Sequence, residues 1–138
     1  MAAIKELIRE EETGGLAFGD YELPAKTKKD GFSYNGDSYK IKTFAEITKL
    51  EKNGSFVYES VPGTAVHDFR VTEDKVRFVV EGTKDAQITL GMASDQEYKV
   101  YLDDVYEGKM KTNIGGKLVL SVELEERESV TVLVEKID

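Results

Sequence analysis

The chain has 138 residues, a formal charge of -8 and no cysteine. An acidic balance of this kind argues against nucleic acid and anionic membrane surfaces, which select clustered Lys and Arg, and the missing thiols exclude disulfides, thiolate nucleophiles and zinc–thiolate sites. Hydrophobic residues at 40% and charged residues at 33% suit one domain, or a domain with a small satellite, that folds without covalent staples.

Residues Ala2 to Glu12 place Ile4, Leu7 and Ile8 at helical spacing among charged residues, which predicts a short amphipathic helix stopped by Gly14-Gly15. Eleven residues are marginal as an isolated helix, so it is expected to dock on the core or on a partner. No long apolar run opens the chain and no stretch approaches a membrane span, so the expected location is the cytoplasm.

A strand is predicted over Leu16 to Leu23, ended by Pro24. Lys26, Lys28 and Lys29 follow in what reads as a solvated loop, flanked by Glu22 and Asp30. Asn35-Gly36 lies between Phe32-Ser33-Tyr34 and Tyr39 to Thr43, a hairpin signal, and Asn53-Gly54 repeats it between Phe44–Lys52 and Ser55–Val61. Val61-Pro62-Gly63-Thr64 reads as a junction. It divides the chain into a helix plus small aromatic meander over 1–62 and a β-sandwich over 63–138.

Beyond the junction, apolar and polar residues alternate. Phe69 and Val71 share a face with His67; then come Val76, Phe78 and Val80; Ala86, Ile88 and Leu90; Tyr98, Val100 and Leu102; Leu118, Leu120, Val122 and Leu124; and Val130, Val132 and Val134. Period two with turn signals every eight to twelve residues predicts an antiparallel fabric wet on one face. About seven such strands predict an immunoglobulin-like sandwich, and an all-β fold for the chain beyond its helix.

The run Tyr98-Lys99-Val100-Tyr101-Leu102, the turn Asp103-Asp104, and the strands Gly108–Asn113 and Gly115–Val122 resemble the closing end of accessory β-sandwich modules in bacterial carbohydrate-active enzymes. Those modules carry Asp-Gly where this chain has Asp-Asp. The resemblance covers about 40 residues and speaks to fold rather than function. The whole chain is also similar to short all-β proteins of anaerobic gut bacteria, some labelled endosialidase. Sialidase-type catalysis uses an arginine cluster on a much larger propeller; here Arg9, Arg70, Arg77 and Arg127 are scattered. The resemblance therefore implies an accessory or chaperone-like part.

Reactive constellations are sparse. His67, the sole histidine, has no G-x-S-x-G partner and is expected to be structural or interfacial. Asp103, Asp104 and Glu107, and Glu125, Glu126 and Glu128, fall at predicted turns where acids are common. Gly14-Gly15 and Gly115-Gly116 lack the Lys-Ser/Thr of a phosphate loop. Neither a metal, a cofactor nor catalysis is expected. The expected role is an interaction or structural module that contacts another protein or a second copy of itself. The alternative is a carbohydrate-binding module. Its candidate ligand residues are Tyr34, Tyr39, Tyr58, Tyr101 and Tyr106, whose rings join an apolar face to a polar hydroxyl.

Overall fold

The computed structural model describes residues 2–137, which form thirteen strands in two antiparallel sheets. They are β1 (Ile8–Glu10), β2 (Leu16–Phe18), β3 (Thr27–Tyr34), β4 (Asp37–Phe44), β5 (Ile47–Lys52), β6 (Ser55–Val61), β7 (Ala65–Val71), β8 (Lys75–Glu81), β9 (Ala86–Gly91), β10 (Glu97–Leu102), β11 (Val105–Lys111), β12 (Lys117–Val122) and β13 (Val130–Lys136). One sheet runs β1-β2-β7-β8-β13-β10-β11 and the other β12-β9-β6-β5-β4-β3. Both Asn-Gly pairs form the hairpin turns expected of them. Asn35 and Gly36 have φ of 49° and 82°, and Asn53 and Gly54 have 50° and 81°. Positive φ at both loop positions matches the turn twist to the strand twist. Asp103-Asp104 makes the same kind of turn at 49° and 66°, tolerable because Asp enters the left-handed region more readily than most residues.

The alternation beyond residue 63 resolves into the seven strands β7 to β13, but they do not form one sheet pair by themselves. Strands β9 and β12 continue the sheet that holds β3 to β6, and β2 pairs with β7. Hydrogen-bond ladders therefore run across the Val61-Pro62 junction in both sheets. A single apolar cluster lies between the sheets and includes Leu16, Phe18, Ile41, Leu50, Tyr58, Phe78, Ile88, Leu120 and Val132. At its centre Phe18, Tyr58, Phe69 and Phe78 meet edge to face or tilted, with ring centroids 5.2–6.4 Å apart. Such pairs add about 1 kcal/mol each to the burial of the rings.

The predicted N-terminal helix is absent. Leu7 has φ of 74°, a conformation no α-helix admits, and Ile8 begins an edge strand. Ile4 and Ile8 are both buried, so the apolar spacing was a real burial signal. The backbone pairs with the sheet instead: Ile4 N donates to Gly19 O, Gly19 N to Leu7 O, and Glu11 N to Gly15 O, all within 2.9 Å. These bonds are stronger support than an eleven-residue helix could draw from its own ladder. Gly14, at φ 92°, serves the tight connection from β1 to β2 rather than a helix stop.

A chain of buried hydroxyls ties the layers together. Asp20 N donates to Thr43 Oγ1, which lies 2.9 Å from Thr48 Oγ1. Thr48 Oγ1 donates to Thr64 O and accepts from Thr64 N, at 2.8 and 3.1 Å. Thr64 Oγ1 in turn meets Tyr58 Oη at 2.8 Å and Ser60 Oγ at 2.7 Å. No buried side-chain polar atom among the described residues lacks a partner, so this polar seam adds specificity without a desolvation debt.

Candidate functional site

The five candidate tyrosines occupy three environments. Tyr58 is fully buried and bonded to Thr64; burial pushes its hydroxyl far above the ordinary phenol range. It is a core residue and cannot reach a ligand. Tyr39 is also buried, with Tyr34 half-buried against its edge at a centroid distance of 5.9 Å. Tyr34 Oη donates to Gly14 O at 2.6 Å, which fastens the β3–β4 hairpin to the β1–β2 turn. These two rings line a shallow groove of about 390 Å³ that also presents Asn35, Asp37, Lys52 and Arg70. Lys52 Nζ lies 3.4 Å from Asp37, whose carboxyl is held low by the Asn53 amide and by Lys52. Tyr101 and Tyr106 pair across β10 and β11 with centroids 5.5 Å apart and planes tilted by 53°. Tyr106 is half exposed.

His67 anchors the N-terminal segment. Its Nε2 lies 3.0 Å from Ala2 O and 3.3 Å from Glu81 Oε1, and its Nδ1 lies 3.6 Å from Glu11 Oε2. Glu11 also accepts from the backbone N–H of Asp68, at a bulge in β7 where Asp68 has φ of 51°. Asp103 is likewise occupied. It accepts from Thr131 N at 2.8 Å and from Arg127 at 3.0 Å, which locks the β10–β11 turn onto β13. Glu125 gives its backbone N–H to Asp85 in the turn before β13. No group of three or more His, Cys, Asp or Glu among the described residues is arranged to hold a metal ion.

The features that sequence reasoning missed lie at the sheet edges. Edge strands expose unpaired backbone groups, and proteins guard them with charge, brevity or bulges. Strand β1 has three residues. Strand β3 carries Lys28, Lys29 and Asp30 and a bulge between Lys29 and Phe32. Strand β11 carries Glu107, Lys109 and Lys111 and a bulge at its pairing with Val100 and Tyr101.

Strand β12 is neither short nor bulged, and its one charge is Lys117 at its start. Its register with β9 is unbroken from Lys117 to Val122, and its interior Leu118–Val122 carries no charge, glycine or proline. Met92 N donates to Gly116 O at 2.7 Å, so the even-numbered residues of β12 face β9 with their backbone groups. The odd-numbered ones face outward. Lys117 is already served there, exchanging bonds with Asn113 at 3.0 and 3.1 Å. Val119 and Ser121 are left with outward N–H and C=O groups.

The same side of the molecule carries the exposed apolar surface. Seven large apolar side chains are exposed among the described residues, and five of them, Val105, Tyr106, Met110, Ile114 and Val119, lie in β11, β12 and the loop between. A groove of about 330 Å³ separates the two edge strands, lined by Leu102, Val105, Val122 and Val130 with Glu107 and Arg127 at its rim. One sequence signal pointed here: Val119 is an aliphatic residue at the wet position between Leu118 and Leu120.

No helix among the described residues is long and apolar enough to cross a membrane. No protein-family model, curated protein or solved structure matches this chain.

Proposed function

We propose that this chain is a non-catalytic interaction module that associates with a second copy of itself through the bare edge of β12. The observation that carries this reading is the pair of outward-facing, unengaged backbone positions at Val119 and Ser121. An antiparallel twofold centred on Leu120 sets Val119 of one copy opposite Ser121 of the other. Four backbone hydrogen bonds then form, two at each end of the pair. At each end Asn113 already holds the outward backbone of Lys117, so the ladder stops there and only the long side chains of Lys117 of one copy and Glu123 of the other can meet, a charge pairing that favours this register over its neighbours. A register centred on Val119 would form two hydrogen bonds and leave Glu123 without a cation. The exposed Val105 and the groove beside it lie on the approaching side. A contact of this size is weak, with a Kd on the order of 100 μM. The immunoglobulin-like description of the C-terminal strands belongs to this proposal too, supported by their alternation and by the two stacked antiparallel sheets.

Sedimentation across a wide concentration range tests the reading. Wild type is expected to shift toward dimer, and Val119→Lys to stay monomeric. Lys117→Glu or Glu123→Lys alone is expected to weaken association about tenfold, and the double swap to restore it. A monomer at every concentration, or a dimer indifferent to these changes, refutes the proposal.

A second reading places a glycan in the Tyr34–Tyr39 groove, favoured by the convergence there of two rings with Asn35, Asp37 and Lys52. Glycan-array binding that Lys52→Ala weakens would support it, and binding that ignores Lys52 would remove it.

A further inference from the structure

Strand register assembles a cationic face that sequence order disperses. Lys28 stands directly opposite Lys42, and Lys42 directly opposite Lys49, across β3, β4 and β5. Residues opposite one another on neighbouring strands project from the same side of a sheet. The neighbours Tyr39, Ile41 and Thr43 point into the core, so this row lies on the outer face. Lys40 joins it two residues along β4, and Lys26 just before β3. Like charges directly opposite destabilise a sheet pair, yet here three are aligned in a chain whose net charge is -8.

The row is not neutralised from within. Ion pairs among the described residues engage Lys5, Lys52 and Lys111 but none of Lys26, Lys28, Lys40, Lys42 or Lys49. Glu51 opposes Lys40 and Glu59 opposes Lys49 in register, but neither carboxylate comes within ion-pair distance. Lys42 feels the crowding: partial desolvation and then the neighbouring ammonium groups hold its pKa below the usual amine value.

We infer that this face is a binding site for a linear acidic polysaccharide, whose carboxylate or sulfate groups neutralise Lys28, Lys42 and Lys49 in series. Strands about 4.8 Å apart set the three lysines along a line of roughly 10 Å, with Lys40 and Lys26 to either side. A chain lying across the strands of this outer face meets the three lysines in turn. Single-stranded nucleic acid fits it poorly, because such binding relies on aromatic rings that stack on bases. Of the rings on this face, Phe56 already lies beneath the ammonium groups of Lys49 and Lys117, at 6.0 and 4.8 Å, and Phe44, two residues along β4 from Lys42, is partly buried. The row centres on β3 to β5, and β6 and β9 separate it from the β12 edge in the same sheet.

Calorimetric titration with heparin and with polygalacturonate, against a single-stranded oligonucleotide, tests the inference. The comparison is between wild type, the triple variant Lys28→Ser, Lys42→Ser, Lys49→Ser, and a control triple variant Lys84→Ser, Lys109→Ser, Lys136→Ser with the same charge change. Wild type and the control are expected to bind at least one of the two polysaccharides alike, with affinity that falls as salt rises. The row variant is expected to lose at least about tenfold, since each lost lysine removes a direct contact. Without ligand, the row variant is expected to melt higher than wild type, because its like-charge row is gone. That readout shows that the variant folds. Absence of polysaccharide binding, equal weakening in the control, or tighter binding of the oligonucleotide than of either polysaccharide would each overturn the inference.

Discussion

The two lateral sides of the sandwich are finished differently. On one side β1 and β3 come together, joined by the bond from Tyr34 to Gly14 O, and both strands are guarded: one by brevity, the other by lysines and a bulge. On the other side β11 and β12 stay apart, with a groove between them and apolar side chains at their rims. The β11 edge is bulged and charged, while the β12 edge is straight and aliphatic. The contrast teaches that edge protection is local to a strand. Three of the four edges are guarded, and the fourth is the one through which association is proposed.

The comparison can be broken most forcefully at the closed side. Ile8→Ala removes a fully buried side chain that holds the short β1 in place, and should cost about 2–4 kcal/mol in denaturant unfolding. Thr64→Val keeps the shape but leaves Tyr58 and Ser60 hydroxyls without their shared partner, an expected loss of about 1–3 kcal/mol by the same assay. Tyr34→Phe should lose about 1 kcal/mol and speed hydrogen exchange in β1, since it removes only the clasp to Gly14. At the open side, Val105→Ser should change monomer stability by no more than about 0.5 kcal/mol, because Val105 is more than half exposed.

Alkaline pH sharpens the same contrast. The folded-state pKa of Tyr58 lies above the unfolded value of about 10, so its contribution is complete below that pH. It is lost as pH rises further, because the unfolded chain gives up the proton first. Melting temperature should therefore fall above that pH, and fall less steeply in Tyr58→Phe.

Much of the fabric was legible in the chain. Val76, Phe78 and Val80, or Val130, Val132 and Val134, alternate with polar neighbours and are buried as that pattern dictates. The Asn-Gly turns were equally plain, because their chemistry is local. Alternation separates inside from outside but does not say which sheet a strand joins, so β9 and β12 could not be assigned to the sheet of β3–β6. The apparent helix at Ile4, Leu7 and Ile8 failed because an edge in need of backbone partners outcompeted a marginal helix, and nothing in the local spacing announces that edge. Tyr58, a candidate ligand residue only in the carbohydrate alternative, is the centre of the core, held by Thr64 six residues away. Lys28 and Lys29, read with Lys26 as a solvated loop, lie instead in β3, paired along β4, and only register sets Lys28 in a row with Lys42 and Lys49.

The most direct test of the β12 edge is amide hydrogen exchange, residue by residue, as protein concentration is raised. The backbone N–H groups of Val119 and Ser121 should exchange freely in dilute solution and become protected at high concentration, while those of Lys109 and Lys111 on the guarded edge keep one rate throughout. Equal rates for Val119 and Ser121 at every concentration would contradict a working edge there.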